Sequence, residues 1–382
     1  MFGYGLVWMA PYVYPFMVAV QELCGRIGMV TGRGISNIMR TNYPRAVLVG
    51  AVSLLVIANV VNIGADLSAM TASVQLLVPS LPFVPLMFGI TAGIVLLEIL
   101  VPYPQYARLL KYAALSLLAY VATVFVVHSH WGGILHALVL PHMEWSHEYI
   151  IAVTAFLGTT ISPYLFFWQA DEEVEEEVSG GKIADANTTT PTVSRADISR
   201  MRTDTALGMF FSQVITVCII VSVAATLGVH GITQINTAAD AAQALRPLAG
   251  DFAYLLFALG IIGTGLLAIP VLAGSVGYAV AEAFGWEVGL GKRFGQARGF
   301  YLIIALVTAL GLLVNFIHIS PMLMLYYSAV VNGVLAPPLM VILLLIGNNK
   351  KIMGAHTNSW ISNAALISIT TVMAAVAVGL LL

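Results

Sequence analysis

Charged residues are scarce in this sequence. Asp, Glu, Lys and Arg make up 9% of its 382 residues, whereas a soluble domain is about a quarter charged. So few charges cannot cover a chain of this size with a water-facing surface, which excludes a cytosolic enzyme, a nucleic-acid binder and a disordered regulator. Apolar residues account for 59% of the chain, and the mean hydropathy is +0.93. This composition predicts a polytopic membrane protein.

Cysteines and catalytic motifs are scarce as well. The two cysteines, Cys24 and Cys218, lie in separate apolar stretches. They form neither a disulfide framework nor a zinc spacing, and we expect both to be small buried hydrophobes. The sequence contains no HExxH, GxSxG or phosphate-binding loop, so we expect no enzyme and no cofactor. The net charge of −2 leaves no polyanion-binding surface, and we expect no nucleic-acid partner.

Ten apolar stretches are long enough to cross a membrane, since a helix needs about 20 apolar residues to span a hydrocarbon core of about 30 Å. The predicted spans are 2–24, 46–70, 83–102, 108–128, 149–170, 205–228, 252–284, 299–317, 322–347 and 360–382.

The Lys and Arg residues alternate with these spans. Of the sixteen, only Arg246 lies in an even-numbered connection, and all the others lie in odd-numbered ones. Because basic residues concentrate in cytoplasmic loops, the odd connections are predicted to be cytoplasmic, with both chain ends outside a cell membrane. The first span then begins almost at Met1 with no charged tail before it. We therefore expect a preceding helix to be missing from this sequence.

Three connections carry distinctive polar residues. The acidic run 171–177 is either a cation-attracting vestibule or a solvated helix end, and such runs favour the solvated end. Thr237 and Asp240 are spaced as a helix cap and predict a short outer helix. Five histidines in or beside the fourth connection could collect a metal, but their irregular spacing favours dispersed interfacial side chains. They are His128, His130, His136, His142 and His147.

The fifth predicted span has helix breakers near its centre. Pro163 cannot donate a hydrogen bond to the carbonyl of Thr159 and crowds that turn, while Gly158 adds backbone freedom. The hydroxyls of Thr159, Thr160 and Ser162 lie between them. A helix interrupted at mid-membrane is the usual ion site of a secondary transporter. The alternative is a proline kink whose hydroxyls bond back to the i−4 carbonyl, and the motif alone leaves both open.

Few other polar residues reach mid-depth. Asn332 in the ninth span either lines a pathway or cross-links helices through its amide. Asp66 is the one acid near the middle of a span. A proton-coupled carrier normally has a buried chain of titratable groups, so the sequence gives proton coupling little support. Small residues at Gly260, Gly263 and Gly265 predict close helix packing.

Three stretches give the sequence a resemblance to a known family. Gly25-Arg26-Ile27-Gly28-Met29-Val30-Thr31-Gly32 ends the first span, Asn62-Ile63-Gly64-Ala65-Asp66-Leu67 lies in the second, and the third is the Gly158–Pro163 break. Over nearly the whole chain the sequence resembles the natural resistance-associated macrophage protein (NRAMP) family of divalent-metal transporters. The resemblance implies an all-α membrane protein of about ten transmembrane helices in a five-plus-five inverted repeat, with family helix 1 absent.

In this scheme the whole chain is a single transporter domain. Residues 1–148 are the remainder of the first repeat, 149–347 the second repeat, and 348–382 an extra C-terminal helix. The first predicted span matches family helix 2, and the broken span matches helix 6.

The sequence departs from the family pattern at the ligands. Family helix 1 carries an Asp-Pro-Gly-Asn motif whose Asp and Asn bind the metal, and nothing in these residues replaces it. The helix-6 motif Met-Pro-His-Asn falls on Ser162-Pro163-Tyr164-Leu165, so a hydroxyl replaces the thioether and a phenol replaces the histidine. The carbonyl-donating alanine falls on Thr159, and a helix-3 glutamate falls on Ala69.

These changes give the implied metal preference a direction. Thioethers select soft transition metals, whereas oxygen donors suit Mg²⁺, Ca²⁺ and Mn²⁺, and Mg²⁺ keeps several of its waters. The sequence is therefore most similar to the NRAMP-related magnesium transporter branch, with uncoupled transport of Mg²⁺ or Mn²⁺ by alternating access and the metal as substrate. The candidate ligands are Thr159 and Ser162, the break is formed by Gly158 and Pro163, and the pathway candidates are Tyr164, Asp66 and Asn332.

Two alternatives remain open. Tyr164, Phe166 and Phe167 could form the aromatic wall of a carrier for amino acids or other organic solutes with the same fold. The missing helix instead favours a truncated membrane protein that does not transport. The sequence leaves the oligomeric state and the physiological ion undetermined.

Overall fold

The computed structural model describes residues 2–101, 115–126, 131–228, 235, 237–317 and 319–380. Within these ranges the regular structure is entirely helical, which confirms the predicted fold class. The α-helices are α1 (Met9–Thr31), α2 (Ile35–Asn42), α3 (Arg45–Leu77), α4 (Phe83–Leu100), α5 (Leu118–Val126), α6 (Trp131–Val139), α7 (His147–Thr160), α8 (Pro163–Ser179), α9 (Arg195–Val223), α10 (Ala238–Ala242), α11 (Arg246–Ala249), α12 (Ala253–Phe284), α13 (Arg298–Val314), α14 (Pro321–Asn348), α15 (Lys350–Met353) and α16 (Trp360–Gly379).

Eight helical segments of the described residues are long and apolar enough to cross a membrane. They coincide with the second, third and fifth to tenth predicted spans. The fourth, 108–128, lies largely outside the described residues, and the part of it at 118–126 forms α5. The first predicted span corresponds to α1, which runs from Met9 to Thr31 rather than from 2 to 24.

Helix α1 continues past its predicted end because its charges are paired. Glu22 and Arg26 lie one turn apart, and their Oε1 and Nε atoms are 3.0 Å apart. Arg26 also donates to the carbonyl of His356 at 2.5 Å and to Asn358 Oδ1 at 2.8 Å. A buried charge with partners does not end a helix. The helix ends instead before Gly32, whose φ of 64° suits a residue without a Cβ.

The first, fifth, seventh and ninth connections meet on one side of the bundle, as the charge pattern requires. The backbone N–H of Asn187 in the fifth donates to the carbonyl of Gly32 in the first, at 2.9 Å. Lys292 in the seventh donates to Asp185 in the fifth at 2.7 Å, and the Arg26 contact joins the first to the ninth. Burial alone would lower the pKa of the Lys292 ammonium, but Asp185 and Glu287 hold this pKa above its ordinary value.

The acidic run 171–177 lies in the C-terminal half of α8. Three of its carboxylates, those of Asp171, Glu173 and Glu177, are less than a tenth exposed. The predicted solvated helix end is therefore wrong for these three residues, because the connections that meet on this side cover them. At the other side of the bundle, Thr237 and Asp240 form the predicted cap of the short helix α10, each accepting a hydrogen bond from the backbone N–H of the other.

Glycines bring several helix backbones close together. A Cβ on Gly28 of α1 would overlap the carbonyl of Ala170 on α8, and one on Gly64 of α3 would lie 2.8 Å from the carbonyl oxygen of Gly311 on α13. On α12, a Cβ on Gly265 would overlap the side chain of Met70. Small residues thus hold α1 against α8 and α3 against α12 and α13.

Candidate functional site

The fifth predicted span is interrupted between Thr160 and Pro163. Helix α7 ends at Thr160, Ile161 and Ser162 leave the helical conformation, with ψ angles of 70° and 137°, and α8 begins at Pro163. The cause is local, because Pro163 has no N–H to donate to the carbonyl of Thr159 and its fixed φ suits the first position of a new helix. The break is therefore a true interruption of the helix rather than a kink within it.

The hydroxyls beside the break bond back to the preceding turn. Ser162 Oγ donates to the carbonyl of Gly158 at 2.6 Å and approaches that of Thr159 at 3.3 Å. Thr160 Oγ1 donates to the carbonyl of Phe156 at 2.8 Å. This is the bonding that the kink alternative predicted, and it coexists with the break. Ser162 Oγ keeps lone pairs free while its proton is engaged, and Thr159 is exposed.

Gly158 lies inside α7 and serves close packing. A Cβ at this position would overlap two backbone atoms of α14, the carbonyl oxygen of Ala329 and the nitrogen of Gly333. Gly333 faces the carbonyl of Thr154 in the same way. The outer half of the broken helix is thus fixed against α14, and the change of direction falls three residues beyond Gly158.

Tyr164 and Asp66 face the same region from two helices. Tyr164 is half-buried in the first turn of α8, and the carboxylate of Asp66 on α3 acts on it electrostatically. Asp66 is also only partly buried. The structure therefore places Tyr164 beside the break and Asp66 on a helix that packs against α8.

Asn332 belongs to a different contact. Its amide forms a reciprocal pair with that of Asn62 on α3, with N–O distances of 2.8 and 3.1 Å. Both side chains are less than a tenth exposed. Of the two interpretations left open for Asn332, the structure favours the cross-link between helices.

Carboxylate, thiolate and imidazole groups do not supply a metal site within the described ranges. No group of three or more His, Cys, Asp or Glu side chains there is arranged to hold a metal ion. His128 and His130 lie outside those ranges, and the exposed side chain of His142 lies within hydrogen-bonding distance of Glu144, at 2.9 Å. The polar atoms that the structure places at the break are hydroxyl and carbonyl oxygens.

Sequence reasoning missed three features of the site and of the helices around it. Asn62 was part of a recognised stretch, but its pairing with Asn332 was not predicted. The sequence shows Gly333 only as one more small residue in an apolar span, which does not predict its contact with α7. Gln21 on α1 is 1% exposed, and neither of its amide atoms has a hydrogen-bond partner among the described residues. A glutamine in an apolar run was the available signal.

One helix of this membrane bundle is interrupted, and oxygen donors lie at the interruption. This arrangement is typical of an ion-carrying secondary transporter. A family profile described as "Natural resistance-associated macrophage protein-like" matches residues 1–382. The chain therefore belongs to that family, whose members are transporters rather than enzymes and carry metal as substrate rather than as cofactor.

Individual relatives agree with this assignment. A divalent metal cation transporter MntH of Acidiphilium cryptum is 25% identical over 365 residues, covering 93% of this chain and 77% of the relative. The MntH of Verminephrobacter eiseniae is 24% identical over 99% of this chain and 80% of its own. A crystal structure of the Eremococcus coleocola manganese transporter superposes with a TM-score of 0.73 at 12% identity, covering 98% of this chain and 79% of that one. That likeness confirms the transporter fold.

Proposed function

We propose that this protein carries divalent metal cations across the cell membrane by alternating access, with Mg²⁺ or Mn²⁺ as cargo and without proton coupling. The observation that carries the proposal is the donor set at the break. Ser162 Oγ and the carbonyl of Thr159 lie at the interruption, where the family resemblance places a thioether and a carbonyl. Related proteins named as divalent metal and manganese transporters support the cargo class.

Oxygen donors favour hard cations. Neutral hydroxyl and carbonyl groups interact weakly with soft metals compared with a thioether. They also do not replace the full hydration shell of Mg²⁺, which this ion gives up reluctantly. Ser162 is suited to contact a partly hydrated ion, because its bond to the Gly158 carbonyl at 2.6 Å orients the oxygen.

The scarcity of proton carriers at this level supports uncoupled transport. Tyr164 occupies the position of the family histidine and Ala69 that of a family glutamate. Asp66 is the acid that remains, and within the described ranges no group of three or more acidic, histidine or cysteine side chains is arranged to hold a metal ion around it. A proton path normally needs several such groups in a chain.

The packing of the two half-helices supports alternating access. Close contacts fix α7 to α14 at Gly158 and α8 to α1 at Gly28. The half-helices therefore have different partners and can move relative to each other at residues 161–162, while the donors stay at the junction.

The test is ion flux in proteoliposomes that contain the purified protein. We expect Mg²⁺ and Mn²⁺ to enter down their gradients, amino acids not to compete, and an imposed pH gradient not to drive accumulation. Ser162→Ala removes one ligand atom and its orientation, and should raise the half-saturating Mg²⁺ concentration about tenfold, the equivalent of about 1.4 kcal/mol.

The matched control is Thr371→Val, which removes an exposed hydroxyl on α16 that bonds only to its own helix. It should leave the flux unchanged. Exclusion of Mg²⁺ together with transport of Cd²⁺ or Fe²⁺ would refute the selectivity proposal, and uphill accumulation driven by a pH gradient would refute uncoupled transport.

A further inference from the structure

Two acidic side chains are in contact on the inner side of the bundle. Asp171 lies on α8, the inner half of the broken helix, and Glu282 lies near the end of α12. They are 2% and 1% exposed, and their carboxyl groups are within hydrogen-bonding distance of each other. A Cβ on Gly34 would overlap Asp171 Oδ1 and both carboxyl oxygens of Glu282. Glycine at position 34 is therefore what leaves room for the pair.

The carboxylate of Glu282 caps the N-terminus of α2. Its Oε2 accepts the backbone N–H of Asn37 at 3.1 Å, and its Oε1 accepts Asn187 Nδ2 at 3.0 Å. Gly34 begins α2 without a side-chain cap of its own. A carboxylate at this position is stabilised by the free N–H groups and by the dipole of α2, so the negative charge of the pair resides on Glu282.

Asp171 has no such support. Its Oδ1 faces Glu282, and its Oδ2 is buried with no hydrogen-bond partner among the described residues. An ionised carboxylate in this position would be both desolvated and in contact with another anion, and two such groups cannot both stay charged unless a proton or a cation lies between them. Since Glu282 already accepts donors on both oxygens, a proton on Asp171 fits the geometry.

Other charged and titratable groups lie near the pair, and within the described residues Arg33, next to Gly34, forms an ion pair with neither acid. Glu175, on the same helix as Asp171, adds negative charge and accepts the hydroxyl of Tyr278 from α12 at 2.6 Å. On α2, the guanidinium of Arg40 lies against Gly285, beyond Glu282. Lys292 of the following connection is held by its own acidic partners, Asp185 and Glu287. No cation of the described residues forms an ion pair with Asp171.

We propose that Asp171 and Glu282 together bind one proton and thereby form a pH-sensitive latch, which holds the inner half of the broken helix against α2 and α12. With the proton present, Asp171 donates to Glu282 and α8 is tied to both neighbours. When the proton leaves to cytosolic water, the two carboxylates repel each other and the inner end of α8 is released.

The latch is distinct from proton-coupled transport. Both acids lie on the inner side of the break, so a proton that binds there and leaves again returns to the same compartment. The latch sets how readily the inner side opens, and it does not depend on which ion is carried. Its test therefore uses a structural measurement that needs no metal, and its failure would leave the proposed cargo and mechanism unaffected.

The test is hydrogen–deuterium exchange of the detergent-purified protein, followed by mass spectrometry. Exchange of the peptide covering 34–38 is measured between about pH 6 and about pH 9 and is normalised for the intrinsic pH dependence of exchange. For the wild type we expect protection to fall by about tenfold as the proton is lost, since like-charge repulsion between buried carboxylates weakens the α2 contact.

Asp171→Asn should remove this pH dependence, because its amide donates permanently to Glu282. The matched control is Glu176→Gln, which removes one negative charge from an exposed position in the same acidic run and should retain the wild-type pH dependence. Glu282→Gln provides a second variant. We expect lower protection at every pH, because the charge that caps α2 is lost, and we expect no remaining pH dependence.

Wild-type protection that does not change with pH would overturn the proposal. An unchanged pH dependence in Asp171→Asn or in Glu282→Gln would overturn it equally, because the titrating group would then lie elsewhere.

Discussion

Gly158→Ala tests the contact that fixes the outer half of the broken helix. The added methyl would overlap the carbonyl oxygen of Ala329 and the nitrogen of Gly333. Both are backbone atoms of α14, so no rotamer change can make room and the two helices must separate. Overpacking of this kind costs about 1–3 kcal/mol or more, and the gain in helix propensity from alanine returns at most about 1 kcal/mol. We expect a net loss of about 2 kcal/mol.

The matched control is Gly93→Ala. Gly93 lies in the middle of α4, is exposed on the outside of the bundle, and has no atom within 4 Å of a Cβ placed on it. Both variants make the same change within a helix, so the difference between them isolates the contact with α14. The measurement is thermal unfolding in detergent, followed by tryptophan fluorescence, together with ion flux in proteoliposomes.

Gly158→Ala should unfold several degrees below the wild type, and Gly93→Ala at or slightly above it. The double variant with Gly333→Ala should lose less than the two single losses together, because one separation of the helices relieves both overlaps. Equal unfolding temperatures for Gly158→Ala and Gly93→Ala would refute the reasoning.

Four further substitutions test the site and its surroundings. Ser162→Met should lower the Cd²⁺ concentration that half-inhibits Mg²⁺ flux by about tenfold, since a thioether favours soft metals. An unchanged half-inhibiting concentration would place Ser162 away from the ion. Asn62→Ala and Asn332→Ala should each cost about 1–2 kcal/mol by leaving one buried amide without a partner, and the double variant should show a coupling of about 1 kcal/mol in unfolding measurements; additive losses would contradict the reciprocal pair. Arg26→Ala should lower stability by about 2 kcal/mol because it removes the buried hydrogen bonds to Glu22, His356 and Asn358, while Glu22 keeps its bond to Arg202 at 2.8 Å. A loss below about 1 kcal/mol in the same assay would show that these bonds contribute little.

The helices were largely predictable from apolar runs, and their ends were not. The first predicted span stops at residue 24, shortly before the charge of Arg26. In the structure Glu22 and Arg26 neutralise each other inside α1. Whether a charge marks the end of a span depends on its partner. Two hydrogen-bond partners of Arg26, His356 and Asn358, lie some 330 residues away, where no local pattern reveals them.

The break itself was predictable because proline acts through its own backbone. Pro163 removes a donor and fixes φ, which requires no knowledge of the neighbouring helices. The role of Gly158 was not predictable in the same way, since a close approach is a property of two helices, and its partner α14 is more than 160 residues further along the chain. The choice between a pathway and a cross-link for Asn332 likewise needed the position of Asn62.

The contacts of Gly28 and Gly158 have a mechanical consequence. They make residues 161–162 the junction between two closely packed helix pairs. One pair is α7 with α14, and the other is α1 with α8. In the proposed transport mechanism, the geometry around the ion therefore depends on the angle between the two helix pairs as well as on the donor atoms. On that proposal, a substitution that tilts either pair would change this angle. Ion affinity and turnover would then respond to changes at the remote ends of α1 and α14, without any change at Thr159 or Ser162.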